Sequence, residues 1–374
     1  MKEVCVTRVE QKIIRVKETS SSRIVGGLPM LSIVTTPSRH SWNLALGNLT
    51  SGNLDQIYEF AEARKKAYAG SEIIRLMALE DERPVGLIQG VYQRRLGYSR
   101  NLTIGGSCGC FPVISLEGKK EQIVRFLLEG LEDFGRRNRI VEGHVYWSQQ
   151  WGFPVLEDLG YRVNNIMDVC VVDLRGSSRD LWDRIHHNKR KNVRKAEHAQ
   201  IVVEDTDSDE DFQSFLRLWK ATSIRVHFDR KFVTPTEVQE MWKTFKQKGM
   251  ARVFLAKYKG QDVAGTLIVF HGDTAYSRYA GSLDEAWSVR PNDMVHWKAM
   301  EWACEHGYSW YHMGGLPYPE PQEGMPFWGL WRWKREWRGT IEKRFVFTKV
   351  YLPGLKKILD TSRRMINASR KLVS

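Results

Sequence analysis

The chain has 374 residues, of which 42% are hydrophobic and 27% charged, and its formal net charge is +13. That balance excludes an intrinsically disordered chain, and the length suits two cores of roughly 150–180 residues better than one. No apolar run approaches the ~20 residues that a membrane-spanning helix needs, and Met1–Val16 lacks the apolar stretch of a signal peptide, so the expected location is cytoplasmic. The five cysteines (Cys5, Cys108, Cys110, Cys170 and Cys304) are scattered, with no second Cys/His pair at metal-site spacing beside Cys108 and Cys110. They are expected to be free thiols, and no metal is expected.

Taken in chain order, residues 1–40 form an extension without a clear assignment. Leu54–Tyr68 reads as a helix, and Arg75–Val91 (RLMALEDERPVGLIQGV) as a hairpin with a charged turn. Glu121–Arg137 carries apolar residues at Ile123, Val124, Leu127, Leu128, Leu131 and Phe134, the spacing of a core-facing helix. A strand, Val141–Trp147, follows. The order then repeats: helix Asp209–Arg225, hairpin Arg252–Phe270 (RVFLAKYKGQDVAGTLIVF), helix Asn292–Glu305 and strand Ser309–Met313. Helix, antiparallel hairpin, helix and strand, occurring twice about 180 residues apart, match the GNAT-type acyltransferase order in tandem rather than a solenoid. The fold class expected is therefore α/β (α+β): two GNAT-like domains, each with a mixed, mainly antiparallel sheet flanked by helices. The first is placed at 41–175 and the second at 176–352, with a boundary near Asp173–Ser178 and a terminal helix within 353–374.

Charge collects at the end of the chain. Residues 331–374 hold 13 lysines and arginines against three acids, a pattern that suits phosphates, RNA or an anionic membrane. Within the terminal helix, Leu355, Ile358, Leu359, Met365 and Ile366 alternate with Lys356, Lys357, Arg363, Arg364 and Arg370. Two placements fit such a helix: an apolar stripe docked on its own domain, which is the commoner use, or a membrane surface.

Four segments carry chemistry. His187–Val203 (HNKRKNVRKAEHAQIVV) puts Lys189, Arg190, Lys191, Arg194 and Lys195 within seven residues, with Asn188 and Asn192 one turn apart, a face suited to phosphate oxygens. Thr222–Arg230 (TSIRVHFDR) supplies Arg225 and Arg230 after a helix. Ala275–Trp302 contains the strand end Tyr279-Ala280-Gly281-Ser282 and then Pro291-Asn292 opening a helix, Asn292 being a good cap residue. Tyr311–Gly315 and Gly329–Gly339 (GLWRWKREWRG) end the set with Trp333-Lys334.

These four segments resemble the FemABX family of aminoacyl and peptidyl transferases. The resemblance implies transfer of an aminoacyl group from aminoacyl-tRNA to an amine of a cell-envelope precursor peptide. It implies Lys334 and Trp333 at the reacting centre, and Lys189, Arg190, Asn192, Arg194, Arg225 and Arg230 holding phosphate-bearing substrate. Tyr279 would orient the acceptor, and Trp328, Trp331 and Trp333 would form a stacking wall. No cofactor is implied beyond the tRNA co-substrate, and the chain is expected to act as a monomer, with peripheral contact to an anionic inner membrane face open.

Where acyl-CoA enzymes of this fold carry a glycine-rich phosphate loop, the chain reads Val-Arg-Pro-Asn-Asp (289–293), with an acid where an anion would sit. His312 or Met313 also stands where the family commonly has an acid, and Arg338 is inserted before Gly339. An acyl-CoA-dependent N-acyltransferase and a non-catalytic binder of RNA or anionic lipid are the alternatives.

Overall fold

The computed structural model describes residues 13–14, 31–49, 54–95, 97–106, 113–114, 119–148, 150–226 and 233–373. Cys5, Cys108, Cys110, Arg230 and most of the expected 1–40 extension lie outside the described residues.

The first half runs β1 (Ile13–Ile14), β2 (Leu31–Val34), α1 (Arg39–Asn48), α2 (Tyr58–Ala67), β3 (Ser71–Glu80), β4 (Arg83–Arg95), β5 (Tyr98–Ile104) and β6 (Val113–Ile114). It continues with α3 (Lys120–Arg137), β7 (Ile140–Trp147), α4 (Phe153–Asp158) and β8 (Arg162–Asp173). The stripe read from the sequence is the reason α3 forms where it does: Ile123, Val124, Leu127, Leu128 and Leu131 are all buried against the sheet.

The second half runs α5 (Ser178–Arg184), α6 (His187–His198), β9 (Val202–Thr206), α7 (Asp209–Arg225), α8 (Pro235–Lys246), β10 (Ala251–Tyr258), β11 (Gln261–His271) and β12 (Thr274–Ser282). It closes with α9 (Pro291–Glu305), β13 (Trp310–Leu316), α10 (Trp328–Arg335), β14 (Thr340–Val350) and α11 (Pro353–Val373). Helix α7 starts where Ser208 caps the amide of Asp211 and three acids fill the first turn, which suits the positive end of the helix dipole. At α9 the expected Asn292 cap is replaced. Arg290, in the left-handed region at φ 63°, occupies the cap position, while the Asn292 amide donates to Ser282 Oγ at 3.1 Å.

All the strands join one sheet in the order β1-β2-β3-β4-β5-β7-β14-β8-β13-β12-β11-β10-β9, with β6 beside β4. Among the described residues, β5–β7 and β12–β13 are the parallel pairs, one in each half, and the rest are antiparallel. This is the tandem GNAT-type arrangement anticipated above, with continuity added: β14 pairs with β7 on one side and with β8 on the other. One apolar cluster backs the first half and one backs the second. A third, which the sequence did not announce, lies between the halves, where Trp42 and Phe60 join Phe212, Trp242 and Tyr279. Among the described residues no helix is long and apolar enough to cross a membrane.

Candidate functional site

Strands β12 and β13 pair only through Thr274–Tyr276 and Trp310–His312. Beyond that point β12 bulges at Arg278 in its ladder with β11, and β13 bulges between His312 and Gly315 in its ladder with β8. Gly314 lies in that second bulge at φ +80°, a conformation that side-chain-bearing residues rarely adopt. The two bulges turn the strand ends apart, and the gap becomes a cleft of about 1610 Å³ ringed by α6, α9 and α10. Pockets for drug-sized ligands measure roughly 300–1,000 Å³, so this cleft suits something larger.

Nine lysines and arginines line it against two acids, Asp293 and Glu336. Both acids face Lys189, which is 1% exposed and places Nζ at 2.7 Å from Asp293 and 3.3 Å from Glu336. Trp333 Nε1 donates to Asp293 at 3.1 Å, and the Asn192 and Asn188 amides donate to Asp293 and Glu336 at 3.4 and 3.1 Å. This buried network ties α6 and α9 to α10, the helix carrying Lys334. Lys334 itself is mostly buried in the cleft wall, and its Nζ donates to the Gly315 carbonyl at 2.9 Å. The basic side chains outnumber the two acids, so the cleft carries a net positive field.

The structure brings together Lys334, Trp333, Lys189, Asn192, Arg194 and Arg225 of the residues singled out from sequence. Arg225 sits at the end of α7, donating to the Ser282 carbonyl at 2.9 Å and stacking over Trp287 at 4.7 Å. Arg194 lies 5.6 Å over Trp182.

Several expectations need correction. Lys189 turns into the protein rather than toward a phosphate, its charge paired with buried Asp293 and half-buried Glu336. Arg190 turns away from the cleft to bond the Ile185, Asp183 and Trp182 carbonyls at 2.6, 3.0 and 3.3 Å, tying α6 to the end of α5. Tyr279 lies in the apolar cluster between the halves; its hydroxyl donates to Glu237 at 3.3 Å, and burial pushes its pKa up. Trp331 is core rather than stacking wall, and only Trp333 of the three tryptophans lines the cleft. Arg230 lies outside the described residues.

His296 was passed over in the sequence. It lines the cleft from α9, its Nδ1 2.9 Å from the Tyr311 hydroxyl and its ring edge-on to Trp333. Burial, reinforced by the charges of Lys334 and Lys189, pushes its pKa down to about 3, so the imidazole is neutral near pH 7. A signal was present: His296 lies three residues after Asp293 and four after Asn292, so the three share one polar side of the helix's first turns.

A family profile described as an acetyltransferase (GNAT) domain matches residues 184–335, the segment that builds this cleft. A lipid II:glycine glycyltransferase of Staphylococcus haemolyticus (strain JCSC1435) is 28% identical over 165 residues, 40% of this chain and 39% of that protein. The chain thus spans well under half the length of the curated relatives it matches. The crystal structure of FemX superposes with a TM-score of 0.69 at 16% identity, over 83% of this chain and 96% of that one. A tandem GNAT protein from the clavulanic acid biosynthesis pathway gives a TM-score of 0.56 at 12% identity, over 87% of this chain and 100% of that one. Together these define the fold as two fused GNAT-like units, the second of which matches the acetyltransferase (GNAT) profile. Within that class, the chain is similar to FemABX proteins, the resemblance that the four sequence segments carry.

Proposed function

We propose that the chain forms a peptide bond between an aminoacyl group carried by tRNA and an amine of a peptidoglycan precursor peptide. The observation that carries this reading is the composition of the cleft: a basic lining around Lys334, at splayed strand ends, in a volume suited to large phosphate-bearing partners. The similar staphylococcal proteins named as lipid II:glycine glycyltransferases point to the same acceptor class.

An aminoacyl ester is already activated, so the protein's task is orientation and charge stabilisation. The acceptor nitrogen attacks the ester carbonyl carbon, the bond to the ribose oxygen breaks, and the proton lost by the amine ends on the released ribose hydroxyl. Lys334 is assigned to the developing oxyanion, and Gly315, whose carbonyl holds its Nζ, fixes its position. Arg225 and Arg194 are assigned to substrate phosphates. Trp333 fixes the wall beside them through its bond to Asp293. No resident cofactor enters this scheme.

Use of acyl-CoA is the less favoured reading. The first turn of α9, where that cofactor's pyrophosphate would need free amides and a close-approaching backbone, carries the Asp293 carboxylate. The test is a transfer assay with a radiolabelled mixture of aminoacyl-tRNAs beside radiolabelled acetyl-coenzyme A, with a precursor extract as acceptor. Label moving from tRNA to the extract supports the proposal. Label moving only from coenzyme A overturns it.

A further inference from the structure

Helix α11 is joined to the rest of the fold through its polar side. Lys356 Nζ bonds Glu142 of β7 at 2.8 Å, and Arg100 of β5 bonds Asp360 at 3.1 Å. Lys356 and Asp360 are one turn apart. At 100° per residue, Ile358 and Met365 point to roughly the opposite side, and each is 64% exposed. The expected docking of the apolar stripe is therefore only partial: Leu355 and Leu359 are half-buried, while the ion pairs to β5 and β7 set a rotation that leaves Ile358 and Met365 outside. A surface helix of a globular domain ordinarily turns its apolar stripe inward. This one leaves Ile358 and Met365 to solvent, with Lys357, Arg363 and Arg364 also exposed.

We propose that α11 is an interfacial element that lies flat on an anionic lipid bilayer. Ile358 and Met365 would enter the headgroup boundary while the basic residues face lipid phosphates. Three observations select this occupant. Ile358 and Met365 are exposed two turns apart on one side of a helix of 21 residues, long enough to lie across many headgroups. Among the residues of α11 with described side chains, Asp360 is the only acid, and it is already paired with Arg100 and Lys356. The exposed cations next to the apolar side complement phosphate rather than a second copy of the same basic helix, which would repel it. This proposal does not depend on what the cleft transfers.

The experiment is co-sedimentation of the full chain with vesicles of phosphatidylcholine alone, or of phosphatidylcholine mixed with phosphatidylglycerol. Wild type should pellet with the anionic vesicles and release at high salt. Ile358→Asp/Met365→Asp should weaken that partitioning about tenfold or more, and Arg363→Glu/Arg364→Glu should do likewise, since each basic residue near an anionic surface is worth about fivefold. All four side chains are exposed, so thermal melts should match wild type. The proposal fails if wild type ignores anionic vesicles, or if the Asp variant binds them as wild type does. It also fails if light scattering shows a dimer that the Asp variant dissolves, making a second copy the occupant. Salt-sensitive retardation of RNA without vesicle binding would equally overturn it.

Discussion

Each half of the sheet contains one parallel pair, and the two pairs behave differently. In the first half β5 stays registered with β7 from Ser99–Ile140 through Ile104–Val145. In the second half β12 and β13 part after three residues. The closed pair is packed from behind: Tyr351 is fully buried against Gly135 and Gly143, and its hydroxyl bonds Tyr161 at 2.9 Å. The open pair is held apart by two bulges and floored by a buried ion network. Similar element order thus yields a structural half and a cleft-bearing half, and the difference lies in a few residues that control strand divergence.

The largest effect expected on this contrast is loss of the network beneath the cleft. Lys189→Met should destabilise the chain by about 3–5 kcal/mol, because buried Asp293 and half-buried Glu336 are left without their counter-charge. Urea unfolding measures this, and adding Asp293→Asn with Glu336→Gln should recover part of it. If the single variant unfolds at the wild-type midpoint, Lys189 does not hold α6, α9 and α10 together.

Next comes Lys334→Ala. If the lysine acts at the oxyanion, turnover should fall about 10²–10³-fold, well beyond what any loss of stability explains. A parallel fall in unfolding midpoint with little residual rate effect would make the lysine structural.

A paired glycine substitution sharpens the comparison of the two halves directly. A Cβ at Gly143 would meet the Tyr351 ring and hydroxyl at 2.1–2.9 Å, so Gly143→Ala should cost about 1–3 kcal/mol and leave turnover of the folded fraction unchanged. Gly314→Ala should cost about 1–2 kcal/mol through its positive φ and should also depress turnover, because the bulge it occupies sets the carbonyl that holds Lys334. Equal effects on turnover would erase the functional distinction between the two pairs.

The smallest effect is a pH dependence. His312 is buried beneath the strand divergence, and burial, with Arg344, Lys334 and Arg278 nearby, pushes its pKa down to about 3; His296 is shifted likewise. Between their unfolded values near 6.5 and about 3 the unfolded chain binds protons that the folded chain refuses. Their contribution is therefore present above pH 6.5 and is lost as pH falls toward 3. The loss of stability between pH 7 and pH 5 should be shallower in His312→Asn and in His296→Gln than in wild type, and identical slopes would refute the assignment.

The sequence by itself determined the tandem GNAT-type order, the extents of α3 and α7 to within a residue or two, and the segments that build the cleft. Those features are local: apolar spacing, caps, turn residues and clustered charge act within one or two turns of chain. It also nominated Lys334, Trp333 and Arg225, which the fold gathers in one cleft. Only the tertiary structure decided which charges are matched. Lys189 and Arg190 are neighbours in one basic run, yet one is buried between carboxylates and the other bonds carbonyls at the end of α5. The direction of Tyr279, the place of His296 in the cleft and the outward face of α11 likewise depend on partners more than a dozen residues away. Charge and hydrophobicity state what a side chain prefers. Its partner is set by which strands diverge and which helices cross, and that information exists only once the sheet has formed.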